Sequence, residues 1–284
     1  MPSRWRPIAR SIRNGRSARA EALTENAEIE LKFLVPAASR AKLAAELAGR
    51  GTARRVSLID AYFDTPDQRL ARAGLAWRMR REGRRWVQGL KAAGRGALER
   101  FEHEVVRPDA TPDPQAHAGT ARGQQLTALL AGQDVGQRFQ RQQRRLLRRV
   151  RTTGAVVDIA LDDVGLTAGT AVRKLCEVEF ELVSGSPVAM LGLVERWRRR
   201  FGLVYDPRNK AERGHQLAAG TTHLPLRKAR SPRYDEDASA LESFGAVFDE
   251  CLAHLSRHAI GLADGDPGLR AEHVHQARVA IRRL

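Results

Sequence analysis

The sequence predicts an α+β protein in which an antiparallel β-sheet or barrel is flanked by helices and followed by a helical C-terminal segment. Short segments with alternating charged and apolar residues recur between positions 27 and 183, separated by glycine, proline and polar turns. This pattern is typical of strands in an antiparallel sheet. Longer segments with helical periodicity lie between and after them. Hydrophobic residues make up 42% of the 284 positions, enough for a buried core, which excludes global disorder.

The expected elements follow one another at short intervals. The first strand, AEIELKFLV at 27–35, places its charged residues on one face and its apolar residues on the other. Pro36 then begins a helical segment that ends at Gly49 and Gly51. Further strands are expected around SLIDAYFDT, LAWRMRRE, RRWVQGLKA, ERFEHEVVR, RRLLRRVRT, AVVDIALDDVGL and KLCEVEFELV. Helices are expected over 114–132, 188–201 and 208–219.

The two ends of the chain differ in composition from this central region. Residues 1–27 carry six arginines and no acid before Glu21, so we expect a disordered basic arm, with an organelle transit peptide as the alternative. Residues 220–235, with two prolines and four basic residues, are expected to form a linker between separate folding units. Beyond it, 236–260 and 269–284 predict two amphipathic helices. Two helices are too few to bury both of their apolar faces.

Composition narrows the classes of function. No uninterrupted apolar stretch approaches the about 18 residues that a membrane-spanning helix needs. The two cysteines, Cys176 and Cys251, are too few for a disulfide framework, so we expect a reducing, cytoplasmic setting. The 49 lysines and arginines against 33 acids give a net charge of +16, which indicates a polyanionic partner. An aromatic content of 5% argues against single-stranded nucleic acid as that partner.

Charged residues recur at alternate positions in strand after strand. The sets are Glu28, Glu30 and Lys32; Arg78 and Arg80; Glu102 and Glu104; Asp158 and Asp162; and Glu177, Glu179 and Glu181. A single set of this kind is typical of a solvent-exposed sheet face. Their recurrence with both signs favours instead a polar, ligand-filled barrel interior. There, carboxylates could hold a hard divalent cation while arginines and lysines hold phosphate oxygens.

The order of motifs along the chain resembles that of one known family. EIELK at 28–32 is followed by AYFDTPDQRLARAGLAWRMR, WVQGLKA, RFEHEV, DIALDDVGLTAG, LCEVEFEL and NKAERGHQLA. On these motifs, residues 28–219 resemble the CYTH superfamily, the triphosphate tunnel metalloenzymes. The closest resemblance is to the bacterial inorganic triphosphatases that join a CYTH domain to a C-terminal CHAD domain. HVHQARVAIRRL at 273–284 looks like the CHAD opening signature, so residues 236–284 are expected to be a truncated CHAD domain.

The resemblance implies an eight-stranded antiparallel β-barrel around a tunnel that binds triphosphate with Mg²⁺ or Mn²⁺. The metal-binding residues that it implies are Glu28, Glu30, Glu177 and Glu179, together with Asp158 or Asp162. The phosphate-binding residues that it implies are Lys32, Arg78, Arg80, Lys91 and Lys210, together with Arg144 or Arg145. Among all of these, the expected catalytic residues are Glu28, Glu30, Lys32 and Lys91. The choice within each of the two pairs stays open.

The expected function is metal-dependent hydrolysis of inorganic triphosphate to pyrophosphate and phosphate, with polyphosphate as a related ligand. Such a reaction needs charge neutralisation and alignment more than a protein nucleophile, and the sequence contains no G-x-S-x-G or Walker-type motif. A class IV adenylate cyclase, or a thiamine or nucleoside triphosphatase of the same fold, is the first alternative. The second is a non-catalytic polyphosphate-binding module. The acidic sets argue against it, because carboxylates beside phosphates are useful only with a metal ion.

Two further interpretations concern single residues outside these motifs. His254 and His258 lie four positions apart on a predicted helix, and no third metal ligand is evident near them. A surface position is therefore favoured over a metal pair. Cys176 is interpreted as a small packed residue rather than a reactive thiol.

Overall fold

The computed structural model describes residues 27–49, 53–93, 99–208, 210–232 and 237–284. The basic arm expected over 1–27 lies outside the described residues except for its last position. The side chains of Glu28 and Lys210 also lie outside the described part, although both residues have backbone positions in the fold.

Nine strands lie in the described residues. They are β1 (Ala27–Leu34), β2 (Arg54–Asp64), β3 (Leu75–Glu82), β4 (Arg85–Ala93), β5 (Glu99–Arg107), β6 (Gly136–Thr152), β7 (Ala155–Ala168), β8 (Ala171–Gly185) and β9 (Val204–Tyr205). The first eight confirm the strands predicted from alternation. Strand β9 was not predicted, because its two residues are too few to show a period.

Seven α-helices accompany these strands in the part of the chain that the structure describes. They are α1 (Ala37–Ala48), α2 (Arg69–Arg72), α3 (Ala121–Leu130), α4 (Pro187–Phe201), α5 (Lys210–Ala218), α6 (Ala240–Asp264) and α7 (Arg270–Arg283). The predicted helical segments are confirmed, although 114–132 divides into a 3₁₀ turn at Pro114–His117 and α3. The single turn α2 was not predicted. Among the described helices, none combines the length and the apolar character needed to cross a membrane.

The strands form one antiparallel sheet with the order β5-β4-β3-β2-β6-β7-β8-β1-β9. Strands β1 and β5 also pair, over three residue pairs that run from Ala27–Phe101 to Ile29–Glu99. The resemblance implies a closed barrel of eight strands. The structure instead has a nine-stranded antiparallel sheet, in which β1 and β5 share only this short pairing. The strand count differs because β9 adds to the end of β1, opposite Phe33 and Leu34.

One face of the sheet is apolar and is covered by helices. Phe33 and Phe180 of the sheet pack in one buried core with Leu43 of α1 and Leu193 of α4. Cys176 is buried in the same core, which confirms its interpretation as a packed residue. Because side chains alternate along a strand, the charged residues of β1 and β8 lie on the opposite face. The sheet therefore presents a polar face away from the helices.

The two C-terminal helices contact each other, and α6 also contacts the sheet. Ile260 of α6 lies in an apolar cluster with Leu34, Val204 and Leu224. At the end of α6, Asp264 pairs with Arg173 of β8. Helix α6, which the sequence predicts to belong to a separate folding unit, is thus joined to the sheet by apolar packing and by an ion pair.

The surface position expected for His254 and His258 is wrong. Both side chains are buried, and His273 of α7 is buried beside them. His258 Nδ1 lies 2.9 Å from His273 Nδ1, and the Nε2 atoms of His254 and His258 lie 3.1 and 2.9 Å from the Arg227 carbonyl oxygen. Helical spacing puts the two histidines on one face, but it does not show that a second helix covers that face. We call these three residues the histidine cluster.

Candidate active site

Charged residues from several strands meet in one cavity. Strand alternation places Glu30 and Lys32 on the same face of β1. In the register with β8 they lie opposite Glu181 and Glu179. The cavity has a volume of 340 Å³ and is lined by nine charged residues. They are Glu30, Arg78, Arg80, Lys91, Glu102, Glu104, Arg145, Glu179 and Glu181, and we call this space the charged cavity.

Three carboxylates form a buried group beside this cavity. Asp162 of β7 and Glu177 and Glu179 of β8 offer oxygens that all lie within 4.8 Å of one another. Their exposed fractions are 0%, 1% and 4%. Glu179 also lines the charged cavity, so the two sites adjoin each other. We call these three residues the acidic cluster.

Arginines compensate the charge of Glu177 from two directions. Arg141 Nη2 donates to its Oε1 and Arg213 Nη1 to its Oε2, each at 2.7 Å. Burial opposes ionisation of this carboxyl, but the positive charges of Arg213, Lys32 and Arg141 outweigh it. The pKa of Glu177 is therefore held below its usual value of 4.5. The carboxyl stays ionised although it is almost fully buried.

Arg145 joins the acidic cluster to the charged cavity. Its Nη2 atom donates to Asp162 and to Glu179, each at 2.6 Å. Lys32 is buried nearby, and burial lowers the pKa of its ammonium group although the charge of Glu177 opposes that shift. The site thus contains charges of both signs that are removed from water and held against one another.

Arg78 occupies the charged cavity because the facing strand carries a glycine. Gly89 of β4 lies opposite Arg78 of β3 in the register, and a Cβ atom at Gly89 would lie 3.0 Å from Arg78 Nε. Arg78 Nη2 donates to Glu102 at 3.0 Å and to Glu104 at 2.6 Å. Its Nη1 atom is buried and has no hydrogen-bond partner among the described residues. That nitrogen is available to a ligand.

Asp60 supports both arginines of β3 from the neighbouring strand β2. Arg80 Nε donates to Asp60 Oδ1 at 2.7 Å, and Arg78 Nε lies 3.9 Å from the same oxygen. Burial opposes ionisation of Asp60, but the charges of Arg78, Arg80 and Arg141 overcome it and lower its pKa from 3.8 to about 2. On β4, Lys91 donates to Glu102.

One family model matches most of the chain. The model of the CYTH domain matches residues 26–215. The chain belongs to the CYTH family. The matched range contains every residue that lines the charged cavity and all three residues of the acidic cluster. It ends before α6 and α7, so the assignment of these helices to a CHAD domain stays a prediction.

Two solved structures illustrate how far the similarity of this CYTH chain extends. A candidate adenylate cyclase from Bacillus halodurans has a TM-score of 0.49 and 19% identity, over 66% of this chain and 96% of the other. A Hippeastrum protein, described as a candidate adenylyl cyclase with a dominant triphosphatase activity, has a TM-score of 0.45 and 20% identity, over 68% and 96%. At TM-scores this low, neither structure carries a functional argument for this chain.

The structure brings together most of the site residues that the CYTH resemblance implies. Those lining the charged cavity are Glu30, Arg78, Arg80, Lys91, Arg145 and Glu179. Asp162 and Glu177 lie in the acidic cluster with Glu179, and Lys32 is buried beside it. Glu28 precedes Glu30 by two positions in β1, and Lys210 begins α5, but their side chains lie outside the described part. The roles of all these residues stay predictions.

The structure also distinguishes the two members of each pair between which the sequence left the choice open. Arg145 lines the CYTH cavity, whereas Arg144 points to the other face of β6 and has an 81% exposed side chain. Asp162 belongs to the acidic cluster, whereas Asp158 pairs at 2.7 Å with the exposed Arg149. The first difference follows from alternation, which puts neighbouring residues of one strand on opposite faces.

Several residues of this site were missed in the sequence. Arg141 could have been found by alternation, because it lies four positions before Arg145 on the same face of β6. Asp60 and Gly89 lie within predicted strands, but their roles depend on which strands become neighbours. Arg213 lies on α5, and no local pattern shows that this helix reaches Glu177.

The acidic cluster fits a hard divalent cation. Mg²⁺ prefers oxygen ligands and is usually bound by carboxylates, and the CYTH chain places three carboxylates within 4.8 Å of one another. Arginines contact these carboxylates in the structure, so a bound cation would lie close to their positive charges. Arg141 Nη1 is buried without a hydrogen-bond partner among the described residues, which leaves a donor for an additional ligand beside the cluster.

Proposed function

We propose that this CYTH protein hydrolyses inorganic triphosphate to pyrophosphate and phosphate in the charged cavity, with Mg²⁺ or Mn²⁺ as cofactor. One observation carries the proposal: a cavity lined by nine charged residues of both signs adjoins a buried group of three carboxylates. Arginine and lysine bind phosphate oxygens well, and carboxylates supply the oxygen ligands of a divalent cation. The volume of 340 Å³ lies at the lower end of the roughly 300–1,000 Å³ typical of small-molecule sites.

The composition of the cavity wall favours an inorganic substrate. None of the described residues that line it is aromatic or aliphatic. A nucleobase or a thiazolium ring binds to a site with apolar or aromatic surface, which this wall does not offer. A chain of phosphates needs only cations and hydrogen-bond donors along its length.

The residues of the chain have distinct tasks in this proposal. Arg78, Arg80, Lys91 and Arg145 bind the phosphate oxygens and align the terminal phosphate with the attacking water. Glu102 and Glu104 hold Arg78 in position through its Nη2 atom. Asp162, Glu177 and Glu179 would hold a divalent cation, which would neutralise phosphate charge and lower the pKa of a water molecule. The oxygen of water bonds to the terminal phosphorus as the bond to the pyrophosphate leaving group breaks, and the proton that the water loses passes to solvent.

Two other functions remain alternatives to this proposal. A class IV adenylate cyclase, or a thiamine or nucleoside triphosphatase of the same fold, would need room for an organic group at one end of the charged cavity. A non-catalytic polyphosphate-binding module would bind phosphate chains through its net charge of +16. Such binding would weaken steeply as salt is added.

We also propose a cytoplasmic setting for this protein. Both cysteines, Cys176 and Cys251, are free and buried, as expected of a protein in a reducing compartment.

Phosphate release from tripolyphosphate, ATP and thiamine triphosphate, measured side by side with Mg²⁺, with Mn²⁺ and with EDTA, tests the function. We expect rapid release from tripolyphosphate with either metal and loss of release in EDTA. Faster turnover of ATP or thiamine triphosphate would point to the first alternative. Tight, salt-sensitive binding of tripolyphosphate without release would point to the second.

A further inference from the structure

A chain of buried and half-buried charges connects the acidic cluster to the end of α6. In order, its members are Glu177, Arg213, Asp206, Arg208, Asp264 and Arg173. Acids and bases alternate along it. At its first step, Arg213 donates to Glu177 at 2.7 Å and also to Asp206. Arg213 therefore has two carboxylates to share. We call these six residues the ion-pair chain.

The ion-pair chain reaches α6 through Asp264, the one of its six members that lies outside the residues matched by the CYTH model. Arg208 Nη2 donates to Asp206 Oδ2 at 2.7 Å and lies 3.8 Å from Asp264 Oδ2. The same Asp264 oxygen accepts from Arg173 of β8. Asp206 and Arg208 are buried, so their charges must be compensated by neighbours rather than by water. Asp264 thus competes with Asp206 for Arg208.

A second contact strengthens this connection. Lys32 donates to the backbone carbonyl of Arg208, and the backbone N–H of Asp206 donates to the carbonyl oxygen of Lys32 at 3.0 Å. The segment that carries Asp206 and Arg208 therefore touches Lys32 as well as Arg213. Ile260, one turn before Asp264 on α6, packs on Leu34 in the apolar cluster described above, which anchors the end of the helix.

We propose that Asp264 is a positioning residue that makes the acidic cluster available to a metal ion. This inference rests on the proposed function to the extent that the cluster holds Mg²⁺ or Mn²⁺. Both oxygens of Glu177 accept hydrogen bonds from arginines, so a cation that binds this carboxylate is repelled by two nearby positive charges and binds more tightly when one of them moves away. A buried arginine can separate from its carboxylate at a small cost in free energy only when another acid compensates the charge of the arginine. For Arg213 that acid is Asp206.

The effect of Asp264 follows from this competition. Asp264 attracts Arg208 and so weakens the pairing of Arg208 with Asp206. Asp206 then compensates more of the charge of Arg213, which allows Arg213 to move away from Glu177 and the cation to bind there. Without the charge of Asp264, Arg208 would depend mainly on Asp206, which it contacts through Nε and Nη2. Arg213 would then stay on Glu177, and the cluster would bind metal more weakly.

Arg173 has the opposite expected effect. It shares Asp264 with Arg208, so its removal leaves Asp264 to Arg208 alone. The pairing of Arg208 with Asp206 then weakens further, and Asp206 pairs more strongly with Arg213. The acidic cluster should therefore bind metal as tightly as in wild type or more tightly. A role of α6 limited to holding the fold would instead weaken binding in both variants.

The test is a titration of the full chain with Mn²⁺ in the absence of any phosphate compound, with free Mn²⁺ followed by electron paramagnetic resonance. We expect Asp264→Asn to raise the dissociation constant for Mn²⁺ about threefold to tenfold. A change of this size corresponds to a coupling energy that is typical of two linked sites. Asp264→Glu keeps the charge and should bind nearly as wild type. Glu250→Gln is the matched control, because Glu250 also lies on α6 but pairs at 2.7 Å with Arg227, outside the ion-pair chain.

Two results would overturn the proposal. One is a folded Asp264→Asn protein that binds Mn²⁺ as tightly as wild type. The other is a folded Arg173→Gln protein that binds it more weakly than wild type, and this result decides the question even if Asp264→Asn does not fold. Thermal unfolding of each variant by circular dichroism establishes that the comparison is made on folded protein.

The same titration separates this inference from the proposed function. Wild-type protein that binds Mn²⁺ but releases no phosphate from tripolyphosphate contradicts the hydrolysis and leaves the coupling intact. Wild-type protein that hydrolyses tripolyphosphate while Asp264→Asn binds Mn²⁺ normally contradicts the coupling alone. If wild-type protein does not bind Mn²⁺ in the absence of phosphate compounds, the coupling is wrong, and the hydrolysis is decided by the phosphate-release assay alone.

Discussion

The acidic cluster and the histidine cluster both remove polar groups from water, but they do so in different ways. Every carboxylate of the acidic cluster faces an arginine, and the pKa of Glu177 is lowered because positive neighbours outweigh burial. In the histidine cluster, burial is the largest cause of a lowered pKa for His258 and His273. The positive neighbours therefore keep Glu177 ionised, whereas burial favours the neutral forms of His258 and His273.

This difference predicts different responses to acid. A carboxylate with a lowered pKa stabilises the fold above its usual pKa and loses that contribution as the pH falls toward the folded value. For Asp60 this window runs from 3.8 down to about 2. A buried neutral histidine loses its contribution as the pH falls below the usual 6.5. The α6–α7 interface should therefore weaken at a pH at which the charges around Asp60 are still in place.

The largest effect is expected from breaking the acidic cluster itself. Glu177→Gln removes the shared partner of Arg141 and Arg213 and leaves two buried cations undercompensated. We expect a loss of roughly 3–5 kcal/mol in the free energy of unfolding, typical of a broken buried ion pair, and no measurable binding of Mn²⁺. Urea unfolding and the Mn²⁺ titration measure the two effects.

The control for this variant is Glu195→Gln on α4. Glu195 forms ion pairs with Arg198 and Arg199, but all three side chains are well exposed. Pairs of this kind contribute little to stability, so we expect unchanged unfolding and unchanged Mn²⁺ binding. A Glu177→Gln protein as stable as this control would show that the acidic cluster does not depend on its charge.

Adjacent residues of β6 provide the second comparison. Arg145→Ala removes a donor that lines the charged cavity, and Arg144→Ala removes the exposed residue beside it. A charge-assisted contact contributes about 1.5–3 kcal/mol, so Arg145→Ala should lower kcat/KM for tripolyphosphate roughly tenfold to hundredfold. Arg144→Ala should leave it nearly unchanged. Equal kinetics of the two variants would place the substrate away from the charged cavity.

A smaller effect is expected from filling the space that Arg78 uses. In Gly89→Ala the new methyl group would lie 3.0 Å from Arg78 Nε, so the guanidinium must shift and its contacts to phosphate should weaken. We expect KM for tripolyphosphate to rise about threefold to tenfold, part of the value of one charge-assisted hydrogen bond. Gly165→Ala on β7 is the control, because a Cβ atom there meets no atom within 4 Å. A KM of Gly89→Ala equal to that of the control would mean that Arg78 does not need this space.

The order of elements could be predicted from the sequence because each strand and helix carries its own period. Alternation in β1 and β8 marks a polar and an apolar face, and the apolar face is the one that α1 and α4 cover. The two-residue β9 and the single turn α2 show no such period. The pairing of β1 with β5 is set by long-range contacts, which local patterns do not contain.

The candidate site was predicted less completely, for a related reason. Residues that share a strand face were found together, as Glu177 and Glu179 show. Residues whose partners come from distant elements were not found: Arg213 reaches Glu177 from α5, and Asp60 reaches Arg78 from the neighbouring strand. His254 and His258 show the same limit, since only the position of α7 reveals that their face is covered.

The smallest expected effect concerns that covered face. The Nδ1 atoms of His258 and His273 lie 2.9 Å apart. Protonation of both rings would therefore place two positive charges next to each other. His254 and Arg257 lie nearby, and Glu272 is the negative charge that opposes them. Amide hydrogen exchange of α7, corrected for the intrinsic pH dependence, should be severalfold faster at about pH 5.5 than at about pH 7.5, because the unfolded segment binds more protons below the usual histidine pKa.

The amides of α4, which contains no histidine, should show little change. His273→Gln should remove most of the pH dependence in α7, whereas His275→Gln, on the exposed side of the same helix, should retain it. If both variants keep the wild-type dependence, the histidine cluster is not the group that titrates, and the acid response of α7 must come from another titratable group.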